Sequence, residues 1–302
     1  MLLVRRAREL QRHLPAAVDG DDNGVHQARV ASRRLREAVP VLAGDSKSRR
    51  KAERKIRRVT QALGMVREMD VTVQILDEFA RRPGIPRDAL EDVRTHVIAE
   101  RDRRRDDMLE RLKDVNTEKL YRRLEEVAIE LPVAASYQWR EALVTRVGHR
   151  ARALADTIHE AGQMYTPEHL HAVRIATKKL RYALELVADA RVTLVRPLLN
   201  TLKRAQETLG RLHDLQIIEQ HVAQLQALPP SRRGAHDGGL DVMARRLADE
   251  CRHLHARYIK QVPALLDLVE RCASAVVPQV RGRRPLKMAP ARATRIPAAR
   301  RA

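Results

Sequence analysis

A fourteen-residue stretch occurs twice in this chain, and no fold that ignores the duplication can be right. The first copy is Val25-His26-Gln27-Ala28-Arg29-Val30-Ala31-Ser32-Arg33-Arg34-Leu35-Arg36-Glu37-Ala38. The second is Leu170-His171-Ala172-Val173-Arg174-Ile175-Ala176-Thr177-Lys178-Lys179-Leu180-Arg181-Tyr182-Ala183. Both read apolar-His-x-x-Arg-apolar-Ala-Ser/Thr-basic-basic-Leu-Arg-x-Ala. The offset is 171 − 26 = 145 residues, close to half of the 302-residue chain. Self-similarity at a fixed offset points to a repeated structural unit.

At 100° per residue each copy separates into two helical faces. His26, Arg29, Arg33 and Arg36 fall on one narrow stripe, and Ala28, Ala31, Leu35, Ala38, Val39 and Leu42 gather on another. In the second copy His171, Arg174, Lys178 and Arg181 form the basic stripe, and Val173, Ala176, Leu180, Ala183, Leu184 and Val187 the apolar one. Like charges at these spacings repel and cost helix stability. A doubled pattern that accepts this cost implies an anionic partner. The competing reading of any single stripe is a solvated surface, which the shared register disfavours.

The helix that follows each copy repeats as well, at an offset of 146. Ile56, Val59, Leu63 and Val66 match Leu202, Ala205, Leu209 and Leu212, and Arg57 and Arg58 match Lys203 and Arg204. Arg54 extends the basic side of the first of these helices. Leu63-Gly64-Met65-Val66-Arg67-Glu68 is echoed by Leu209-Gly210-Arg211-Leu212-His213-Asp214. Gly64 and Gly210 are expected to allow close helix approach. Glu68 and Asp214 are expected to orient arginine heads by bidentate pairing.

The remaining chain reads as helix and breaks, with no sustained period-2 alternation that would signal a strand. Helices are expected over 1–14, ending near Pro15, then 25–43, 47–82, 87–114, 117–131, 137–163, 167–189 and 193–227. Two shorter helices, 239–260 and 263–276, close the pattern. The predicted class is all-α: two tandem four-helix repeats, about 1–132 and 137–276, related by a pseudo-twofold axis and lining a basic central channel. Residues 277–302 hold eight basic residues, no acid and four prolines, and read as a disordered cationic tail.

Charge narrows the partner. Lys and Arg number 59 against 39 Asp and Glu, a formal +20, which implies a polyanion. Aromatics are only 2% of the chain, which argues against base stacking as the grip on a single strand. Two cysteines, Cys251 and Cys272, exclude a disulfide framework and make a reducing, cytoplasmic setting the default. No apolar run is long enough to span a membrane.

The paired HxxR-x-x-x-[KR]-x-LR helices, with the Leu-Gly-x-x-x-acid segment after each, resemble the CHAD family, the conserved histidine α-helical domain. The resemblance extends over about residues 1–276. Its segment is LGxxRD in the family; Glu68 and His213 depart from that pattern here. The resemblance implies inorganic polyphosphate binding, with polyphosphate granules as a location. The residues that would line the channel are His26, Arg29, Arg33, Arg36, Arg54, Arg57 and Arg58 from one half. His171, Arg174, Lys178, Arg181, Lys203 and Arg204 come from the other. Guanidinium and ammonium groups without aromatics suit a ligand made only of phosphates.

Three rival readings are weaker. Non-specific nucleic-acid binding fits the charge and the tail, but no helix-turn-helix pattern is legible. A metal-dependent phosphohydrolase would need clustered carboxylates, and the basic stripes contain none. Cys251-x-His253-x-His255 is the tightest metal-like cluster, but His253 falls off the face shared by the other two, so no metal or cofactor is expected.

Overall fold

The structure, a computed structural model, describes residues 2–43, 46–113, 115–129, 138–189, 195–229 and 237–276. The described residues form nine α-helices and no strand. They are α1 (Leu2–Asp19), α2 (Asp22–Leu42), α3 (Lys47–Ala80), α4 (Arg87–Lys113), α5 (Thr117–Ile129), α6 (Gln138–Ala161), α7 (Pro167–Asp189), α8 (Val195–Gln226) and α9 (Asp237–Arg271). A π-helical turn, Cys272–Val276, continues α9. The expected boundary at 132–137 and the cationic tail at 277–302 lie outside the described residues.

Local chemistry starts several helices where the sequence marks them. Asp21 caps α2, its carboxylate accepting from the Gly24 N–H at 2.7 Å, and Ser46 caps α3 by accepting from the Arg49 N–H at 3.1 Å. Pro167 opens α7, where its missing N–H costs nothing. Pro15 does not end its helix as expected, and the expected break between 260 and 263 is absent. α1 runs through Pro15 to Asp19, and the expected 239–260 and 263–276 are one helix through Pro263. Each proline removes one backbone bond, but buried residues on both sides hold the helix in line: Leu14 and Ala17 in α1, Tyr258, Leu265 and Leu268 in α9. The expected loop at 19–24 shrinks accordingly to a tight turn. Gly24 permits the close approach of α1 and α2 there, since a Cβ on it would lie 2.7 Å from the Ala16 carbonyl carbon and the Ala17 nitrogen.

Consecutive helices pack on one another, α1 on α2, α2 on α3 and α3 on α4, then α6 on α7, α7 on α8 and α8 on α9. Helices that correspond by the sequence offset also meet across the molecule: α2 on α7, α3 on α8, and α4 on α9. α5 packs on α1 and α3. Within the described residues the first half thus has five helices and the second has four with the π-turn.

Apolar burial does not follow the halves. One core draws on α1, α2, α5, α6 and α7, the N-terminal parts of α3 and α8, and the ends of α4 and α9. A second draws on the C-terminal parts of α3 and α8, with the first part of α4 and the start of α9. Along α3 the first core ends at Val66 and the second begins at Met69; along α8 the limits are Leu212 and Leu215. Arg67, Glu68, His213 and Asp214 occupy the seam between the two cores.

Candidate functional site

The apolar faces of α2 and α7 bury Ala28, Leu35, Val173 and Leu180, which turns their basic stripes toward each other. Arg29 and Arg33 come from α2, Arg174 and Lys178 from α7, and the four lie within one another's electrostatic reach. Within this tetrad Arg29 corresponds to Arg174 and Arg33 to Lys178. Among the described residues none of the four makes an ion pair or a side-chain hydrogen bond. The Nε atoms of Arg29, Arg33 and Arg174 are shut off from water without a partner.

Burial and mutual repulsion change how these groups titrate. Burial first, then Arg174, Arg33 and Arg29, push the Lys178 ammonium down to about 6. Burial and Arg33 push even Arg29 down to about 10, with Arg174 adding to the effect. Burial lowers Arg174 too. Asp214 opposes Arg174 and Lys178 and Glu68 opposes Arg29 and Arg174, but Asp214 forms no hydrogen bond among the described residues, and its own burial raises its pKa against the pull of Arg174, His213 and Lys178. A site of this kind is short of negative charge and of hydrogen-bond acceptors.

A cavity of about 210 Å3 opens beside the tetrad, lined by Arg33, Arg36, Glu37, Ile175, Lys178, Lys179 and Tyr182. It exceeds the roughly 10–15 Å3 that a single water needs in a cavity, so it has room for a larger group. Arg36 is exposed at its edge and lies within electrostatic reach of Arg57 on α3.

The histidines that head the stripes occupy unlike surroundings. His26 is lowered by burial and by Arg67 and Arg29. His171 is lowered by burial and then by His213. The Nδ1 atoms of His171 and His213 lie 3.4 Å apart, and His213 Nε2 lies 3.6 Å from Glu68 Oε1. The second Glu68 oxygen accepts from Arg104 of α4 at 2.9 Å. Burial alone would raise Glu68, but the neighbouring His213 and the hydrogen bond from Arg104 hold it down at about 2.

Several expected positions are placed differently. Glu68 accepts from Arg104, an arginine of α4 outside the stripes, and stands beside His213, because α4 and α8 both reach it at the seam. Gly64 and Gly210 do not serve close helix packing: a Cβ on Gly64 would have only Arg29 Nε nearby, at 3.8 Å, and one on Gly210 would touch nothing within 4 Å. Arg54, Arg57 and Arg58 are exposed on α3, and Lys203 and Arg204 are exposed on α8, where Lys203 lies 4.0 Å from Glu207. Arg181 lies over the Tyr182 ring at 5.2 Å and 3.5 Å from Glu185, whose other oxygen accepts from Arg34 at 3.2 Å.

Sequence reasoning missed Lys179, Glu37, Tyr182 and Arg104. The first three stand inside the duplicated motif, but their faces were assigned to neither stripe. Arg104 carries no signal, being one of many arginines on a heavily charged helix. Glu37 is held by Arg146 at 2.7 Å and Arg150 at 3.3 Å, both on α6. Among the described residues, no group of three or more His, Cys, Asp and Glu is placed to hold a metal, and no helix is long and apolar enough to cross a membrane.

Comparison with known proteins bears on this geometry. A family profile described as CHAD domain matches residues 2–223. No curated protein matches the chain. Among solved structures, PptA from Streptomyces chartreusis is similar, with TM-score 0.63 and 18% identity over 86% of this chain and 96% of that one. The crystal structure of the CHAD domain from the plant Ricinus communis is similar with TM-score 0.55 and 23% identity, over 90% of this chain and 89% of that one. Likeness at these identities establishes a shared all-helical fold.

Proposed function

The chain belongs to the CHAD domain family, and on that premise we propose that it binds inorganic polyphosphate at the tetrad of Arg29, Arg33, Arg174 and Lys178. The observation that carries the reading is the tetrad's imbalance. Cations from both halves crowd together, three guanidinium Nε atoms are buried without acceptors, and no carboxylate pairs with them among the described residues. A phosphate chain supplies what is missing, oxygens in several directions and about one negative charge per phosphate.

In this reading residues 1–276 are one domain built of two repeats about a pseudo-twofold axis. The correspondence of Arg29 with Arg174, and of α2 with α7 across their contact, supports it. His26 and His171 flank the tetrad, and Arg36 and Arg57 lead out of it. The protein acts as a binding module and not as a catalyst, and its place is on polyphosphate granules in the cytoplasm. The tail at 277–302 adds a non-specific tether for polyanions, nucleic acid included.

The test is polyphosphate affinity of the full chain at low and moderate salt, with duplex DNA as competitor. Tight binding that DNA does not displace is expected. Arg29→Glu/Arg174→Glu should abolish it while the helical circular-dichroism spectrum stays unchanged. Undiminished affinity in the double variant would remove the tetrad from the site. Equal displacement by DNA would make the protein a general polyanion binder.

A further inference from the structure

The α3 and α8 helices correspond in sequence but not in charge. Arg54, Lys55, Arg57, Arg58 and Gln61 of α3 align at offset 146 with Asn200, Thr201, Lys203, Arg204 and Glu207 of α8. The α3 set has four cations and no acid. The α8 set has two cations and one acid, and Lys203 lies 4.0 Å from Glu207. Positive potential outside the tetrad therefore continues along α3 and is damped along α8.

The α5 helix deepens this asymmetry. It packs on α3, burying Leu120 and Leu124 completely. Lys119 and Arg123, one turn apart, flank those leucines, and both come within electrostatic reach of Lys55, as does Arg58. Lys55 titrates low, through burial and then through Arg123, Lys119 and Arg58. Among the described residues none of the four pairs with a carboxylate. The cations also extend from the cavity in the direction of this group. Arg33 and Arg36 edge the cavity, Arg36 lies within electrostatic reach of Arg57, and Arg58 follows toward the group on α5.

We propose that the face formed by Lys55, Arg58, Lys119 and Arg123 is a second polyanion-contact surface, which takes the part of a long polyphosphate chain that overhangs the central site. This rests on the polyphosphate reading of the tetrad and adds a direction to it: the chain leaves the site along α3 toward α5. It also assigns chain-length preference to residues outside the duplicated motif. A short oligophosphate satisfies the tetrad alone, whereas a long one gains the second set of contacts.

The experiment compares tripolyphosphate with a long-chain polyphosphate preparation on the full-length protein and on Lys119→Gln/Arg123→Gln, across a salt series. For the long chain, the variant should lose about tenfold in affinity at low salt, and the slope of log affinity against log salt should fall by about 1 to 2. Tripolyphosphate affinity should not change. Lys55→Gln, on the other helix of the face, should move the long-chain values in the same direction, which guards against a folding defect in α5. Long-chain binding equal to wild type in both variants would overturn the proposal. An equal loss for both ligands would overturn it as well, by placing these residues in the central site. Wild-type protein that bound neither ligand would defeat the tetrad reading and this proposal together; intact tripolyphosphate binding without a long-chain effect would defeat this proposal alone.

Discussion

Lys178→Met removes the cation that the unliganded site tolerates least. The Lys178 ammonium titrates at about 6 in the free protein, so at pH 8 only about 1% of molecules carry its charge. A phosphate chain against it would bring it back toward the ordinary lysine value, roughly 10.4. Binding at pH 8 should therefore take up about one proton at this residue, and its contribution to affinity should fall about tenfold per pH unit above 6, up to the bound-state value. His26 and His171 also start below their ordinary values, so the difference between wild type and variant isolates Lys178. The assay is titration calorimetry at pH 8 in two buffers of different ionisation enthalpy. Wild type should take up about one proton more than Lys178→Met. Equal uptake would refute the reasoning, since Lys178 would then be charged already or out of contact. The stability sign is opposite. A base whose folded pKa is lowered leaves the unfolded chain holding the extra proton between about 6 and 10.4, so the free protein gains stability as pH rises through that window. Lys178→Met, relieved of that penalty, should stabilise the unliganded fold near neutral pH, and the gain over wild type should shrink as pH rises through that window.

Three further outcomes can be checked. Glu68, held at about 2 in the fold against an ordinary value of 4.5, contributes stability that is present above the ordinary value and lost as pH falls through the folded one; Glu68→Gln should flatten the acid limb of a pH-unfolding curve between them. Gly24→Ala should cost about 2 kcal/mol in urea unfolding, because its methyl would press into the α1 backbone at Ala16 and Ala17. Asp70 is buried and accepts from Arg101 Nε at 2.8 Å. Asp70→Asn should cost about 2 kcal/mol, less than a fully buried pair, because Arg101 keeps a second partner in Asp22 at 2.6 Å.

The helices were legible because their signals are local. Thr166-Pro167 fixes the start of α7, and the stripe of α2 gives its buried face without knowledge of what covers it. The expected stop at Pro15 and the expected break between 260 and 263 are absent, because a proline's cost is set against the burial of residues such as Leu14 and Tyr258, and that burial is decided by distant helices. The same distinction runs through the site. Register alone put His26, Arg29 and Arg33 on one face, and His171, Arg174 and Lys178 on another. It could not tell the enclosed members of the stripes from exposed ones such as Arg54 and Arg204, since enclosure depends on the α2–α7 contact. Nor could it find the setting of Glu68, whose partners Arg104 and His213 lie 36 and 145 residues away in the chain. His213 stood out only as a departure from the family's arginine; its geometry shows an imidazole tied to a carboxylate on one side and set beside His171 on the other.

Both apolar cores draw on both halves of the sequence, and this has a consequence for how the protein is made. When the first five helices have left the ribosome, Ile56 and Val59 on α3 and Leu35 on α2 still await the helices of the second half that complete their core. Phe79 and Val93 wait for α8 and α9 in the same way. Half-synthesised chains therefore present sticky, strongly cationic surface for as long as translation of the rest takes. A protein truncated after α5 should be a client of chaperones and proteases and not a smaller version of the whole. The cation tetrad can close only when α7 docks, so the proposed site is assembled late, together with the completed cores.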